Sequence, residues 1–377
     1  MKKTLCLLMA LLLLALAGCG DGKAPAAPIN ADLHPEENQQ GRPGFLETED
    51  GIYSIWTNES SGRPVELIYF CPAGEATFYP LCSKPNCLHA DRSCNAYAGA
   101  GASVGYYKEH LYTAEFNTFR QGFDIVRINP DGTDRTAVTT ISLPAEASGG
   151  TARFHRGKVY MAISPDGALP LEEQIPHLVM VDLDTLEQTE PFTELFTAGG
   201  VYLFDFTCFN GDKIYSSDQL RGGSYYTDDV TLPLIELDVD AGTYRTLFEL
   251  PICMPWVENN TCYYVEMGKG FRERDLTTGE IREIDFPSRD GIWAYYDTDY
   301  IYLTGEGEQE KTLYILTRDY ELVDQITLAN GEGLNNVSAQ RLLFARFNNV
   351  IPPYCAYLDK SQIGSGKLEL QPITVNG

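Results

Sequence analysis

One short pattern recurs along most of this chain: a polar turn, then an aliphatic residue, then a tyrosine that opens a β-strand. Successive copies lie 39 to 59 residues apart, which is close to the period of one blade in a β-propeller. This spacing constrains the fold more than any other feature, because a β-sandwich shows no fixed period of this length. The six clear copies and a degenerate seventh are Asp50-Gly51-Ile52-Tyr53, Glu109-His110-Leu111-Tyr112, Gly157-Lys158-Val159-Tyr160, Asp212-Lys213-Ile214-Tyr215, Asn260-Thr261-Cys262-Tyr263, Asp299-Tyr300-Ile301-Tyr302 and Asn348-Asn349-Val350-Ile351.

Between these copies, each unit contains a further strand that ends in a hairpin turn. One example is Val126-Arg127-Ile128 before Asn129-Pro130-Asp131-Gly132, where Asn, Asp and Gly supply backbone conformations that other residues resist. Each unit is therefore predicted to hold about four antiparallel strands, and such a blade buries both faces only by stacking around an axis. We predict an all-β propeller of seven four-stranded blades, with six blades and an odd terminal unit as the alternative. The predicted blades span residues 45–97, 99–145, 150–195, 200–250, 253–287, 290–328 and 336–376.

The composition agrees with strands and makes the surface strongly acidic. Tyr occurs 23 times, and β-branched and aromatic residues fall in short alternating runs, whereas long helical apolar patterns are almost absent. We expect less than about a tenth of the folded residues in α-helix, against about a third in an average protein. The 53 Asp and Glu exceed the 28 Lys and Arg, which disfavours nucleic acid as a partner and favours a soluble monomer.

The N-terminus has the pattern of a segment that directs export. Two lysines precede an apolar run that is shorter than the about 20 residues of a transmembrane helix. The run ends at Leu16-Ala17-Gly18-Cys19, which resembles the lipobox of bacterial lipoproteins. That resemblance implies cleavage before Cys19, a lipid on its sulfur and a protein held on the outer face of the cell membrane. An ordinary secretory signal with an incidental Cys19 is the alternative.

Three parts of the chain follow from this interpretation. Residues 1–18 are predicted to be the signal peptide. Residues 19–43 begin with the lipidated Cys19 and continue as a stalk rich in Pro, Ala, Gly and charge, which has too little apolar surface to fold. Residues 44–377 are predicted to form the propeller.

The densest chemistry of the chain lies at the end of the predicted first blade. Cys82, Cys87, His89 and Cys94 are close together in sequence, and we name residues 82–94 the Cys loop. Three cysteines and one histidine form a recognised ligand set for structural zinc, although this spacing is not that of a common zinc knuckle. Outside the membrane, cysteines more often pair as disulfides, and the mature chain keeps an even number besides Cys19. Disulfides, a zinc ion and free thiols all remain open, and each would give the Cys loop a structural role rather than a catalytic one.

Three further patterns suggest chemistry, and each has a plainer structural explanation. Gly101-Ala102-Ser103-Val104-Gly105 matches the G-x-S-x-G motif of hydrolases, which requires a strand before the serine and a helix after it. Acid pairs at predicted hairpin corners lack the twelve-residue loop that binds calcium. Aromatic residues that could form a sugar-binding platform are expected instead to pack between blades. The acid pairs are Asp131/Asp134, Asp182/Asp184 and Asp238/Asp240, and the aromatic residues are Trp56, Trp256, Trp293, Tyr295 and Tyr296.

Weak repeats such as Phe123–Val138 and His177–Phe192 resemble those of β-propeller lipoproteins exported by Gram-positive bacteria, related in pattern to TolB-like and lipoprotein-receptor-type propellers. The segment Leu81–Tyr97, which contains the Cys loop, is similar to a segment of the same lipoproteins. The resemblance implies a lipid-anchored, extracytoplasmic propeller that binds a protein, a peptide or a cell-wall glycan. Propellers host binding, scaffolding and catalysis alike, so a carbohydrate-active hydrolase or lyase and a purely structural envelope component are the alternatives.

Overall fold

The structure is a computed structural model, and it describes residues 44–376 apart from short gaps. The predicted signal peptide, Cys19 and the stalk lie outside the described residues. Among the described residues, no helix is long and apolar enough to cross a membrane. The gaps are residues 59–63, 100–101, 145–146, 167, 171–172, 174, 198–203, 219–231, 251, 267–268, 286–292, 307–310, 330 and 347–353.

Seven antiparallel sheets follow one another along the chain, and each takes its strands in sequence order. The prediction of a seven-bladed propeller is therefore confirmed, and the alternative of six blades is wrong. The first three blades contain β1 (Phe45–Thr48), β2 (Gly51–Asn58), β3 (Val65–Pro72) and β4 (Thr77–Pro80); β5 (Val104–Tyr107), β6 (His110–Asn117), β7 (Gly122–Ile128) and β8 (Thr136–Ser142); and β9 (Ala147–His155), β10 (Lys158–Pro165), β11 (His177–Asp182) and β12 (Gln188–Thr189).

Blades four to seven repeat the same arrangement. A five-residue α-helix, α1 (Thr193–Thr197), is the one α-helix in the described part of the chain, so the expected scarcity of helix is confirmed. These blades contain β13 (Phe204–Asn210), β14 (Lys213–Asp218), β15 (Leu232–Asp238) and β16 (Thr243–Leu250); β17 (Ile252–Glu258), β18 (Thr261–Glu266), β19 (Gly270–Asp275) and β20 (Ile281–Glu283); β21 (Trp293–Tyr296), β22 (Tyr300–Glu306), β23 (Lys311–Thr317) and β24 (Leu322–Leu328); and β25 (Glu332–Val337), β26 (Arg341–Arg346), β27 (Ala356–Asp359) and β28 (Gln371–Pro372).

The repeated tyrosine belongs to the second strand of each of the first six blades, where it points into the packing between sheets. Tyr53, for example, is 1 % exposed, and Tyr302 is fully buried. In the seventh blade the matching strand is β26, and Leu343 occupies the position that tyrosine has elsewhere. The degenerate copy at residues 348–351 lies outside the described residues. The repeat thus marks the strand whose large side chain fills the space between neighbouring blades.

The ring is closed at the first blade by the end of the chain. A final strand, β29 (Thr374–Val375), pairs parallel with β4 and makes the first sheet five-stranded. The backbone N–H of Thr374 donates to the carbonyl of Ala76 at 3.0 Å, and that of Asn376 donates to the carbonyl of Phe78 at 2.9 Å. The repeat pattern did not predict this strand, because two residues are too few to show a period.

Candidate metal centre

The Cys loop is an insertion within the outer strand of the first blade. After β4, the N–H of Leu81 donates to the carbonyl of Ile68 at 2.8 Å. The chain then leaves the sheet, and on its return the carbonyl of Ala96 accepts from the N–H of the same Ile68 at 2.7 Å. Beyond this point Tyr97 lies opposite Leu67, so the outer edge of β3 (Val65–Pro72) is covered again. One residue of β3 therefore bonds both ends of the loop.

The Cys loop also contacts the second blade. The side-chain amide of Asn95 donates to the carbonyl of Gly132 at 2.5 Å, in the turn between β7 and β8. Gly132 has a φ of +77°, and a Cβ there would lie 2.7 Å from the carbonyl oxygen of Leu81. Arg92 donates to the carbonyl of Phe116 at the end of β6. The loop is thus held at the seam between the first two blades.

The structure brings together the four side chains that the sequence singles out. The sulfurs of Cys82, Cys87 and Cys94 and a ring nitrogen of His89 all lie within 4.8 Å of one another. The Nδ1 of His89 is 3.2 Å from the sulfur of Cys94. Cys94 is buried and the other three are half-buried, so the group is sheltered but open to a small ion from solvent.

The electrostatic surroundings of the cluster differ from one ligand to the next. Burial raises the pKa of the Cys94 thiol. Burial also acts to raise the pKa of Cys82, but hydrogen bonds from the backbone N–H groups of Lys84 and Asn95, together with the neighbouring sulfurs, bring it below its usual value. Burial lowers the pKa of His89, which keeps the imidazole neutral at pH 7, with a lone pair available to a metal.

The donor set and its dimensions fit zinc. Bonds of about 2.3 Å to sulfur and about 2.0 Å to nitrogen give a tetrahedron whose edges are about 3.5 Å between sulfur and nitrogen and about 3.8 Å between sulfurs. Donor atoms within 4.8 Å of one another need only small side-chain rotations to reach those edges. Soft thiolates also select zinc over hard cations such as calcium and magnesium.

The number of thiols in the cluster distinguishes a metal from a disulfide. A disulfide would use two of the three sulfurs and leave the third thiol beside an unused imidazole, whereas a metal uses all four side chains. The other described cysteines, Cys71, Cys208, Cys262 and Cys355, lie outside the cluster. The side chain of Cys253 lies outside the described part of the chain. The geometry therefore favours a metal ion over complete disulfide pairing within the cluster.

The backbone of the Cys loop is bent to bring the ligands inward. Asn86 has a φ of 58° and His89 a φ of 51°, both in the left-handed region that is uncommon for residues other than Gly, although Asn, Asp and His adopt it more often than most. Such conformations persist where surrounding contacts hold them. Here the side-chain ammonium of Lys84 donates to the carbonyl of Ser93 across the loop, and Asn58 donates to the carbonyl of His89 at 3.5 Å. These supporting groups were not found from sequence, because backbone hydrogen bonds leave no residue signature.

The G-x-S-x-G serine is not placed as a nucleophile. Ser103 is fully buried, and its hydroxyl donates to the carbonyl of Ala152 at 2.5 Å in the neighbouring blade. The chain continues directly into β5 rather than into a helix. The structural interpretation of this segment, a linker between blades, is the one that the geometry supports.

The acid pairs act as turn residues. The Oδ1 of Asp182 accepts from the backbone N–H groups of Asp184 and Thr185, each at 2.9 Å, while Asp184 accepts from the Tyr107 hydroxyl at 2.8 Å. These oxygens are engaged within the turn and with the neighbouring blade. Hairpin geometry accounts for the acids without calcium.

The aromatic residues are used mainly for packing. Trp56 is 3 % exposed, and its ring centroid lies 4.6 Å from that of Tyr69 and 4.7 Å from that of Phe78. Trp256 stacks on Tyr296 at 5.7 Å. The Tyr295 hydroxyl donates to the carbonyl of Leu334 at 2.8 Å, and the side chain of Trp293 lies outside the described residues. Trp56 is therefore a core residue and not part of an exposed sugar platform.

Comparison with known proteins relates the chain to other propellers by fold alone. No protein-family model matches, and no curated protein matches. Among solved structures, a puromycin-hydrolysing peptidase of Mycobacterium tuberculosis aligns with 92 % of this chain and 55 % of its own, with a TM-score of 0.55 and 13 % identity. The β-propeller domain of the trilobed protease of Pyrococcus furiosus aligns with 87 % of this chain and 97 % of its own, with a TM-score of 0.51 and 10 % identity.

A third structure is a protein of Listeria monocytogenes described as uncharacterised. It aligns with 91 % of this chain and 96 % of its own, with a TM-score of 0.50 and 9 % identity. The chain spans about half the length of the Mycobacterium peptidase but nearly all of the Pyrococcus domain and the Listeria protein. At identities this low, the structural alignments show a shared β-propeller fold and nothing more specific.

Proposed function

We propose that this protein is an exported, lipid-anchored propeller that acts as a binding or scaffold module for a protein, a peptide or a cell-wall glycan. The observation that carries the proposal is the closed ring of seven blades, which holds the loops at its two ends on a rigid frame where they can vary freely. The lipobox-like Leu16-Ala17-Gly18-Cys19 supports attachment to the outer face of the membrane.

The buried state of Ser103 disfavours hydrolysis by a serine nucleophile at this motif, since a nucleophile must reach its substrate. The similarity to peptidases extends over only about half of the Mycobacterium enzyme. A matched assay separates the two functions. The Cys19→Ala protein, purified from the soluble fraction, is expected to co-sediment with cell-wall sacculi or to retain an extracellular peptide pool without releasing soluble products. Release of soluble sugars or amines over time would support the enzymatic alternative instead.

The anchor is tested by fractionation and mass spectrometry. The unaltered protein is expected in the membrane fraction with a lipid mass on Cys19, while Cys19→Ala is expected to be soluble or unprocessed. Cys355→Ser is the matched control, because it removes a cysteine of the folded body and leaves the lipobox intact. An unmodified mature N-terminus at another residue would contradict the anchor.

We also propose that Cys82, Cys87, His89 and Cys94 hold one structural zinc ion, on the strength of their convergence. Elemental analysis of the purified protein is expected to show about one zinc per chain. Cys87→Ser is expected to lose most of it, and Cys355→Ser to retain it. A metal-free protein whose cluster thiols become reactive only after reduction would show disulfides in place of zinc.

A further inference from the structure

We infer that the zinc site holds β4, the strand with which β29 pairs to close the propeller ring. Metal binding and the pairing of β29 with β4 then stabilise each other. This inference rests on the proposed zinc ion. Its basis is the position of the ligands, the first of which lies two residues beyond β4, the four-residue strand with which β29 pairs.

The ligands lie at the two ends of the insertion. Cys82 comes two residues after Pro80, the last residue of β4, and Cys94 comes two residues before Ala96, where the outer strand resumes. Coordination of both sulfurs by one ion therefore fixes the end of β4 relative to the returning chain. Without the ion, the segment between Leu81 and Ala96 is held by the hydrogen bonds of the loop and by its contacts with Gly132 and Phe116.

β4 has few contacts of its own along the sheet. Its register with β3 comprises two pairs, Tyr69 with Pro80 and Phe70 with Tyr79. Its register with β29 also comprises two pairs, Thr374 with Thr77 and Val375 with Phe78. Strands this short are weakly stable by themselves, so a constraint at one end changes the pairing of the whole strand.

β4 also carries a side chain that links the first and last blades. Phe78 is 1 % exposed, and its ring centroid lies 5.8 Å from that of Tyr354, which follows β26 in the seventh blade. At the edge, the hydroxyls of Thr77 and Thr374 are 2.7 Å apart. A shift of β4 would disturb both the aromatic contact and the parallel pairing with β29, so zinc binding and ring closure are energetically coupled.

Hydrogen exchange measured on the full-length Cys19→Ala protein tests the coupling, with the zinc-loaded protein compared with the same protein after EDTA treatment and desalting. The amides of Thr374 and Asn376, which donate to the carbonyls of Ala76, just before β4, and of Phe78 in β4, are expected to exchange at least about tenfold faster without zinc. Amides of β23 (Lys311–Thr317) in the sixth blade are expected to keep their rates. Cys87→Ser should reproduce the effect of EDTA, and Cys355→Ser should not.

Reciprocity gives a second measurement. Thr374→Pro removes the N–H that bonds to Ala76 and is expected to increase the rate of zinc transfer to a colorimetric chelator at least about threefold. If the protein holds one zinc per chain but chelation leaves amide exchange at Thr374 and Asn376 unchanged, the coupling is wrong and the zinc site is still supported. Equal acceleration in every blade would also overturn the coupling, because the metal would then act on global stability. Absence of zinc would overturn both proposals.

Discussion

The first and sixth blades share the order of their first four strands, but their sheets are completed differently. In the sixth, β21 to β24 are joined by consecutive hairpins, and the fully buried Leu303, Leu313 and Ile315 pack between neighbouring sheets. In the first, the outer strand is interrupted by the Cys loop, and the sheet is completed by β29 from the other end of the chain. The sixth blade is built from contacts that are local in sequence, whereas the first also includes a strand about 300 residues away.

This difference between the two blades reflects the closure of the ring, which an open row of blades lacks. An open row of blades buries the faces between neighbours but leaves two outer faces exposed, and these meet only at closure. At that contact, the Ser54 hydroxyl lies 3.3 Å from the Tyr354 hydroxyl, between residues 300 positions apart in sequence. The first blade therefore carries both the aromatic packing of the closure and the fifth strand.

The largest expected effect is at the aromatic contact between the first and last blades. Tyr354 is 2 % exposed, its ring meets Trp56 edge-on at 5.6 Å, and its hydroxyl accepts from the Asn336 amide at 2.7 Å. Tyr354→Ala is expected to lower the free energy of unfolding by about 3 to 5 kcal/mol, because it leaves a cavity and removes one hydrogen bond of the Asn336 amide. Urea denaturation measures the loss. Tyr354→Phe keeps the ring and should lose only about 1 to 2 kcal/mol; an equal loss from both variants would show that the hydroxyl, not the ring, holds the closure.

The second-largest effect is expected in the sixth blade, at a residue that serves as the comparison for Tyr354. Leu313→Ala removes a fully buried aliphatic side chain and is expected to lower the free energy of unfolding by about 2 to 4 kcal/mol. Because the blade is formed by local hairpins, C-terminal exchange at Thr374 should remain unchanged in native conditions. If Leu313→Ala accelerated exchange at the C-terminus as much as Tyr354→Ala does, the two blades would not differ in their coupling to closure.

A smaller, pH-dependent effect is expected at the seam between the first two blades. Burial raises the pKa of Glu115 to about 7, against the lowering influence of the ion pair with Arg135, whose guanidinium also donates to the carbonyl of Tyr97 at 3.2 Å. A folded-state pKa above the unfolded value of about 4.5 means that the folded protein holds this proton more tightly. The corresponding stability is present in full below about pH 4.5 and is lost as the pH rises through about 7.

Glu115→Gln should therefore remove part of the pH dependence. Between pH 5 and 8 the unaltered protein is expected to lose about 2 kcal/mol more stability than the variant does. Denaturation at a series of pH values measures this difference. Glu321→Gln is the surface control, since it makes the same substitution at an exposed residue. Parallel profiles for the unaltered protein and Glu115→Gln would contradict the assignment.

The smallest effect is expected at Leu88, and it tests whether the Cys loop is held by the metal or by apolar packing. Leu88 lies between two proposed ligands and is 82 % exposed. Leu88→Ser is expected to change the free energy of unfolding by less than about 0.5 kcal/mol and to keep the zinc. Phe119→Ser, at a side chain 93 % exposed in the adjacent hairpin, should behave alike. A loss above about 1 kcal/mol from Leu88→Ser alone would mean that the loop is held by an apolar contact.

The blades could be predicted from the sequence alone because nearly every blade repeats the same local pattern of turn and buried strand residues. The buried tyrosine at the start of the second strand recurs often enough to show the period, as Tyr53 and Tyr302 illustrate. The four side chains of the metal cluster were also visible, since their residue types and density are unusual. The closure was not visible, because β29 has two residues and its partner β4 lies about 300 positions away. Nor was the role of Ile68, which bonds both ends of the Cys loop through backbone atoms that any residue would supply.

The return of the Cys loop to the same residue of β3 (Val65–Pro72) makes it an extreme form of β-bulge. Tyr69 lies opposite Pro80 and Leu67 opposite Tyr97, whereas an uninterrupted strand would place residue 82 opposite Leu67. An ordinary bulge adds one residue to a strand and leaves the ladder on either side in register; here the addition is fifteen residues long. The outer strand of the first blade thus accommodates a long insertion because both of its ends bond the same residue, Ile68, and so leave no gap in the ladder along β3.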